Sequence, residues 1–180
     1  MSYGIPLQLN LKRFFDGVDR DRNGRITCME LQQALTNGDW RPFNEETCRL
    51  FIGMFDTNHS GTIEFNEFAA LWKYVNDWKE CFRSFDRDNS GTIDSNELSQ
   101  AFQSFGYRLS GQFVELCITR FSRSGSRAIT FDSFIQCCVM LYTLTEAFKK
   151  KDIRRTGNVR LEYEEFLAMV LDTTVVLPGV

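Results

Sequence analysis

Three stretches of the chain place oxygen-bearing side chains at the same spacing. Each begins with an aspartate, carries oxygen-bearing side chains two and four residues later, has glycine at the sixth position and ends with glutamate at the twelfth. Carboxylate, amide and hydroxyl oxygens are the ligands of hard cations, and Ca²⁺ takes about six to eight of them. The spacing therefore predicts three calcium sites, in residues 19–30, 56–67 and 86–97.

The pattern is that of the EF-hand loop, in which each position has a fixed role. Positions 1, 3 and 5 supply side-chain oxygens, position 7 its backbone carbonyl and position 12 two carboxylate oxygens, while glycine at position 6 permits the sharp turn. Mg²⁺ is the expected competitor of Ca²⁺. The predicted ligands are Asp19, Asp21, Asn23, Arg25 (carbonyl) and Glu30; Asp56, Asn58, Ser60, Thr62 (carbonyl) and Glu67; and Asp86, Asp88, Ser90, Thr92 (carbonyl) and Glu97.

The three loops are expected to differ in affinity because they differ in charge. The third loop presents four carboxylates, those of Asp86, Asp88, Asp94 and Glu97, whereas each of the others presents three. More ligand charge generally tightens calcium binding. We therefore expect the third loop to bind most tightly and the second most weakly.

Two further segments repeat the pattern in degenerate form. In residues 122–133, Arg127 replaces the glycine and Ser133 replaces the terminal glutamate, so this fourth loop is not expected to bind Ca²⁺. In residues 152–165, a two-residue insertion displaces Glu165 from the twelfth position, and strong binding is not expected there either.

Apolar residues recur at helical spacing on both sides of every loop, which predicts a helix–loop–helix unit five times over. No glycine or proline interrupts residues 67–85 or 130–151, so each is predicted to be one continuous helix, whereas breakers in residues 37–42 and at Gly106 should end helices. The predicted fold is all-α: five EF-hands with short two-stranded loop pairings and about eight helices. Before the first loop, the apolar face is formed by Leu11, Phe14, Phe15 and Val18.

The five units are expected to form a single domain over residues 9–175, flanked by short tails at residues 1–8 and 176–180. EF-hands pair through the residue at position 8, so Ile26 should face Ile63 and Ile93 should face Ile129. Val159 of the fifth unit then has no partner in its own chain. An unpaired strand invites association, which predicts a two-fold dimer, or a heterodimer with a relative, through the fifth hands. The predicted dimer residues are Val159, Phe166 and Met169.

Composition argues against several other classes of protein. The net charge of −3 does not suit a nucleic-acid binder. No apolar run approaches about 18 residues, and the first residues lack the features of a secretion signal. Six cysteines without a signal predict reduced, mostly buried thiols in the cytoplasm. The one histidine, His59, lies in the second loop, and no nucleophile or phosphate-loop motif accompanies it, so no enzyme is predicted.

The spacing of the five units, together with segments 37–44, 71–78, 85–91 and 105–110, resembles the penta-EF-hand family over about residues 8–172. The resemblance implies an all-helical fold, dimerisation through the fifth hand, and Ca²⁺-dependent binding of Pro-rich peptide segments of cytosolic trafficking and membrane-repair proteins. It also implies a cytoplasmic protein that is recruited to membranes, such as endoplasmic reticulum exit sites and endosomes, when calcium rises.

A calcium sensor that acts as an adaptor is therefore the leading functional hypothesis. Ca²⁺ binding in sensors opens an apolar groove for partner peptides. Two alternatives remain, a regulatory subunit of a calpain-type calcium protease and a passive calcium buffer. The candidate peptide-binding residues are Tyr74, Trp78, Phe105, Tyr107 and Arg108.

Overall fold

The computed structural model describes residues 7–38, 40–123 and 125–174. Within these ranges the chain forms eight α-helices and four two-residue strands, which confirms the predicted all-α fold. The predicted tails lie outside the described residues, apart from residues 7 and 8, which belong to the first helix. In chain order the elements are α1 Leu7–Val18, β1 Arg25–Ile26, α2 Cys28–Ala34, α3 Glu45–Phe55, β2 Ile63–Glu64, α4 Phe65–Phe85, β3 Ile93–Asp94, α5 Ser95–Ser104, α6 Gly111–Phe121, β4 Ala128–Ile129, α7 Phe131–Lys151 and α8 Tyr163–Thr174.

The short strands join the hands into the two predicted pairs. Strand β1 is antiparallel to β2 with Ile26 opposite Ile63, and β3 is antiparallel to β4 with Ile93 opposite Ile129. All four isoleucines are wholly buried, because β-branched side chains pack well across a two-stranded ladder and towards the helices beneath it. The predicted pairing through position 8 is confirmed.

Helices α4 and α7 are the continuous helices that the sequence predicts. Each has 21 residues, so each extends roughly 30 Å. Helix α4 leaves the second loop and enters the third, while α7 joins the fourth unit to the fifth. The two helices pack against each other through aromatic rings, with the ring of Phe82 lying 5.3 Å from that of Phe131 and 5.5 Å from that of Phe134.

Helix ends follow the capping residues, with one difference from the predicted breaks. The side chain of Asn44 accepts a hydrogen bond from the Thr47 N–H at 2.7 Å and caps α3. Gly106 follows α5 with φ +87°. Helix α2 ends at Ala34, three residues before the predicted break, because Leu35 is already extended and leads into a bridge between Thr36 and Pro42.

Phe14 departs from the predicted apolar face of α1. Its neighbour Phe15 is fully buried, but Phe14 is 52 % exposed and its ring stacks on that of Trp72 at 4.9 Å. Helical spacing alone predicts that Phe14 faces the core. Because α1 packs against α4, its ring instead lies at the edge of the core, on Trp72. This edge therefore carries a stacked aromatic pair.

All six cysteines are free, and Cys48, Cys117, Cys137 and Cys138 are buried. This agrees with the predicted reduced thiols. Within the described parts of the chain, no helix combines the length and the apolar character that a membrane span requires.

Candidate calcium sites

The first aspartate of each predicted loop is held in the same way. In the first loop, one carboxylate oxygen of Asp19 accepts the Asn23 N–H at 3.1 Å and the other accepts the Gly24 N–H at 2.9 Å. Gly24 has φ +82°, a conformation that suits glycine because it has no Cβ. The corresponding distances are 2.9 and 2.6 Å for Asp56 with Ser60 and Gly61, and 2.9 and 3.0 Å for Asp86 with Ser90 and Gly91.

The glutamate at position 12 joins the two ends of its loop. One carboxylate oxygen of Glu30 accepts the Arg20 N–H at 3.0 Å, and the other accepts the Thr27 N–H at 2.9 Å. The same two bonds reach Glu67 from the N–H groups of Thr57 and Glu64, and Glu97 from those of Arg87 and Asp94. Each glutamate is therefore positioned over its loop at the start of the following helix.

In the first and third loops these contacts bring three carboxylates together. The ligating oxygens of Asp19, Asp21 and Glu30 lie within 4.8 Å of one another, and so do those of Asp86, Asp88 and Glu97. Three converging carboxylates, with further oxygens at positions 5 and 7, form a donor set that suits a hard divalent cation. The residues present therefore fit Ca²⁺.

The second loop has the same backbone but less charge. Asn58 stands where the other two loops have aspartate, so Asp56 and Glu67 are the carboxylates at its ligand positions. The hydroxyl of Ser60 is bonded within the loop, 3.2 Å from the Thr62 carbonyl oxygen. The lower charge is the reason for the prediction that the second loop binds most weakly.

Hydrogen bonds keep several of these carboxylates ionised. For Glu30, Asp56 and Glu67, burial raises the pKa, but the N–H and O–H groups that the loops direct at the carboxylates outweigh it and hold each pKa below its ordinary value. The hydroxyl and N–H of Ser90 lower the pKa of Asp88. These ligands are therefore charged at neutral pH before any cation arrives.

The fourth loop is organised by a salt bridge instead of a ligand cage. Asp132, at loop position 11, is wholly buried and lies 3.2 Å from the guanidinium of Arg123. The Ser126 hydroxyl bonds to the backbone of Ala128, while Ser124 of the same loop lies outside the described residues. Sequence reasoning missed Asp132, since only the tertiary contacts distinguish it from an ordinary exposed carboxylate.

The fifth loop keeps the beginning of the pattern and loses its end. Asp152 accepts the N–H groups of Thr156 at 2.9 Å and Gly157 at 2.7 Å, and these bonds lower its pKa. Glu165 accepts the N–H of Glu162 at 3.1 Å, but its other oxygen lies 3.8 Å from the ammonium of Lys151. In the first three loops this second oxygen accepts the N–H of the residue at loop position 2, whereas in the fifth loop it lies near Lys151.

Three of the five candidate peptide-binding residues form one aromatic ladder. The ring of Tyr74 lies 6.0 Å from that of Trp78, which lies 6.4 Å from that of Phe105. Phe105, at the end of α5, is 39 % exposed. Tyr107 packs on Phe102 at 6.4 Å instead, and the neighbouring Arg108 is exposed.

A separate cleft lies between the α2–α3 connection and α4. Its volume is about 400 Å³, and none of the five candidate peptide-binding residues lines it. Sequence reasoning missed this cleft because its two walls come from segments far apart in the chain. Its lining includes Leu35, Gly38, Trp40, Trp72, Lys79 and Arg83.

The predicted dimer residues are not buried. Phe166 is 49 % exposed on α8, and Val159 and Met169 are partly buried. In the described residues no strand includes Val159. Three further apolar residues of α8 extend the exposed surface, and sequence reasoning did not single them out: Tyr163, Leu167 and Leu171.

Comparison with known proteins agrees with this arrangement of loops and helices. The family model described as an EF-hand domain pair matches residues 9–73 and again residues 75–138. Human peflin is 47 % identical over 157 residues, covering 87 % of this chain and 55 % of peflin. Sorcin of Schistosoma japonicum is 51 % identical over 158 residues, covering 88 % of this chain and 92 % of that sorcin.

A solved structure shows the same fold. The homologue of programmed cell death 6 protein from Leishmania major Friedlin has a TM-score of 0.80 and 31 % sequence identity, over 91 % of this chain and 93 % of that chain. The fold and loops define a calcium-binding protein of the EF-hand class. More narrowly, the chain belongs to the penta-EF-hand family, whose members matched here are calcium-binding proteins and not enzymes. It spans 55 % of the length of human peflin and 62 % of that of mouse peflin.

Proposed function

We propose that the chain is a cytoplasmic calcium sensor that binds Ca²⁺ in its first three loops and then binds Pro-rich peptide segments of trafficking or membrane-associated proteins. The observation that carries the proposal is the pair of converging carboxylate clusters in the first and third loops. Mg²⁺ is the expected competitor, and its stricter geometry should make it the weaker ligand.

The chain can turn calcium binding into movement because each position-12 glutamate begins a helix. Glu97 lies in the first turn of α5, and Phe102 and Phe105 lie further along or at the end of the same helix. Asp86, Asp88 and Glu97 would hold the ion, whose positive charge would offset the repulsion among these carboxylates and so change the position of Glu97 and of the first turn of α5. Phe105 contacts Trp78 of α4, so a shift of α5 changes the aromatic ladder.

The aromatic ladder is the proposed peptide-binding surface. Pro-rich peptides dock on aromatic-lined grooves because their extended conformation is already formed before binding. Tyr74, Trp78 and Phe105 offer three rings in contact, and Tyr107 and Arg108 follow in the connection after α5. Membrane recruitment would then be indirect, through the peptide partner.

The fifth unit is the proposed dimer interface. Its α8 presents Phe166 and neighbouring apolar side chains to solvent, with Met169 beside them, and Val159 has no strand partner among the described residues. Burying such a surface against a second copy, or against a penta-EF-hand relative, removes apolar area from water.

Calorimetric titration with Ca²⁺ tests the metal sites. The unmodified chain should bind three ions, and Glu30→Gln, Glu67→Gln and Glu97→Gln should each remove one. Glutamine can still accept the hydrogen bonds that cap the following helix, so the fold is expected to remain. Five ions in the unmodified chain would show that the last two loops bind, and none would contradict the proposal.

A dye that fluoresces on apolar surfaces separates the sensor from the buffer. Ca²⁺ should raise the dye signal of the unmodified chain, and Glu97→Gln should reduce the rise. Calcium binding without any rise favours the passive buffer. A stable heterodimer with a protease subunit, in place of a calcium-dependent peptide complex, favours the regulatory subunit.

A further inference from the structure

The connection between the first and second hands touches the third calcium loop. We call residues 35–44 the inter-hand linker, because they join α2 to α3. A Cβ atom added to Gly38 would lie 3.1 Å from the Cα of Gly91 and 3.3 Å from its carbonyl oxygen, so the two backbones are in contact. Gly91 is position 6 of the third loop, and its N–H donates to Asp86 at 3.0 Å. Gly91 therefore contacts both the linker and Asp86, which is a predicted calcium ligand.

Two backbone hydrogen bonds join the two arms of the linker. The Asn37 N–H donates to the Arg41 carbonyl at 2.8 Å, and the Phe43 N–H donates to the Leu35 carbonyl at 3.1 Å. These bonds place residues 35–37 beside residues 41–43, and Gly38 follows directly after the first arm. Because both arms are bonded to each other, a displacement at Gly38 is passed to the residues that end α2 and begin α3.

Asp132 of the fourth hand bonds to both ends of the linker and to α3. The Asp132 N–H donates to the Asn37 side chain at 3.0 Å, and the Asp132 carboxylate accepts the Asn44 N–H at 2.7 Å. The Asp132 carbonyl accepts the Thr47 hydroxyl at 3.2 Å. The guanidinium of Arg123 lies 3.2 Å from the same carboxylate. A wholly buried carboxylate requires such partners, because an unpaired charge in the interior is strongly unfavourable.

The two contacts lie on the two hands of one pair. Gly91 belongs to the third hand and Asp132 to the fourth, and these hands are joined by β3 and β4. The linker they hold connects the helix that leaves the first loop to the helix that enters the second. We propose that the inter-hand linker couples calcium binding in the third loop to binding in the first two, with Gly38 and Asp132 as its positioning residues. The proposal rests on the proposed function only in that the loops bind Ca²⁺.

Coupling of this kind is reciprocal. If calcium in the third loop raises the affinity of the first two loops, calcium in those loops raises the affinity of the third by the same factor. The contacts of Gly38 and Asp132 supply a physical connection, and a measured interaction between substitutions is what establishes coupling.

The contact at Gly38 is tested in a chain that keeps only the third site, Glu30→Gln with Glu67→Gln. Gly38→Ala should weaken the calcium affinity of that site by about threefold or more, because the added methyl displaces Gly91 and its bond to Asp86. Gly38 does not need a positive φ, so alanine is tolerated by the backbone itself. Gly53→Ala is the matched control, since a Cβ there meets no atom within 4 Å. A change below about threefold, or one equal to the control, overturns the role of Gly38.

The coupling itself is tested by removing the third site. As a single substitution, Glu97→Gln should lower the calcium affinity of the first two loops by about fivefold or more. In Asp132→Asn the side chain keeps one acceptor oxygen in place of two, so it no longer holds the Ser133 N–H and the Asn44 N–H at once. In this background the same change should have less than about half of that effect on the binding free energy. Equal effects in both backgrounds overturn the proposal.

A measurement without metal completes the test. In the calcium-free protein, the amide hydrogen of Asn44 should exchange about tenfold or more faster in Asp132→Asn than in the unmodified chain, and Gly53→Ala should not change it. If circular dichroism shows that Asp132→Asn does not fold, Gly38→Ala replaces it in the coupling measurement. Three ions bound without coupling overturn this inference alone, whereas no calcium binding overturns the proposed function as well.

Discussion

The glutamate that ends each calcium loop also lies in the first turn of the helix that follows. Glu30 exchanges hydrogen bonds with Thr27, Glu67 with Glu64 and Glu97 with Asp94, each pair forming a capping box at a helix start. The same carboxylate is therefore both a helix cap and a predicted ligand. The cap therefore also positions the glutamate over its loop.

The cap of α2 provides a direct prediction. Thr27→Ala removes the hydroxyl that lies 2.7 Å from Glu30, and we expect the calcium-free protein to lose about 1 kcal/mol of unfolding free energy. The calcium affinity of the first loop should fall as well, because Glu30 is less firmly positioned. Urea unfolding in the presence of a chelator and calorimetric titration measure the two effects.

The control for this prediction is Gln33→Ala, an exposed position on the same helix. It should leave both quantities nearly unchanged. Equal losses in the two variants would show that the propensity of α2, and not the Thr27 cap, determines the result.

Thiol reactivity gives a second prediction at this scale, with a defined pH dependence. Burial raises the pKa of Cys28 and of Cys81, and it raises the pKa of the more deeply buried Cys138. The thiolate is the reacting form, so a raised pKa moves the rise in labelling rate to higher pH. At about pH 7.5 iodoacetamide should label the native chain more slowly than an unstructured cysteine peptide, and the rate should still be rising above about pH 9.

Mass spectrometry identifies the labelled residues. Cys28 and Cys81, which are partly exposed, should be modified before the buried thiols. Labelling of Cys138 before these two would contradict the packing of α7.

At the scale of elements, the features that depend on residues close in sequence were predictable. The loop pattern, the isoleucine pairs and the unbroken helices α4 and α7 all follow from spacing over a few residues. The positions of Phe14 and Asp132 were not predictable in this way. Phe14 has the spacing of a core residue, and Asp132 has the appearance of a surface carboxylate, until the packing of distant elements is known.

The pairing of loops makes the fourth hand important for calcium although it lacks the ligands. Ile129 lies opposite Ile93 of the third loop, and both are wholly buried. Ile129→Ala should cost about 2–4 kcal/mol of unfolding free energy and weaken calcium binding by the third loop, since the cavity loosens β3.

Ile129→Val is the matched control, because it removes a single methylene group. It should cost about 0.5–1.5 kcal/mol and change the calcium affinity less. Thermal unfolding and titration of the chain that keeps only the third site measure both quantities. An unchanged affinity in Ile129→Ala would mean that the third loop is formed independently of its partner.

At the scale of the whole molecule, the described chain consists of two closed pairs of hands and one hand without a partner. The two pairs bury their position-8 residues within the chain, whereas α8 of the fifth hand leaves Phe166 and Leu171 exposed, at 49 % and 65 %. Sequence reasoning arrives at this asymmetry by counting, since an odd number of hands leaves one over. It identified Phe166 but not Tyr163, Leu167 and Leu171, which are exposed on the same helix.

The unpaired hand leads to a prediction about size. The unmodified chain should sediment as a dimer, at twice the 20.9 kDa of one chain, both with calcium and with a chelator, because the fifth loop lacks a full ligand set. Phe166→Glu places a charge in the apolar surface of α8 and should shift the equilibrium to the monomer. Met29→Glu, at an exposed apolar position on α2, is the control and should remain dimeric. An unmodified chain that sediments as a monomer at micromolar concentration would show that the surface of α8 is not closed by a second copy.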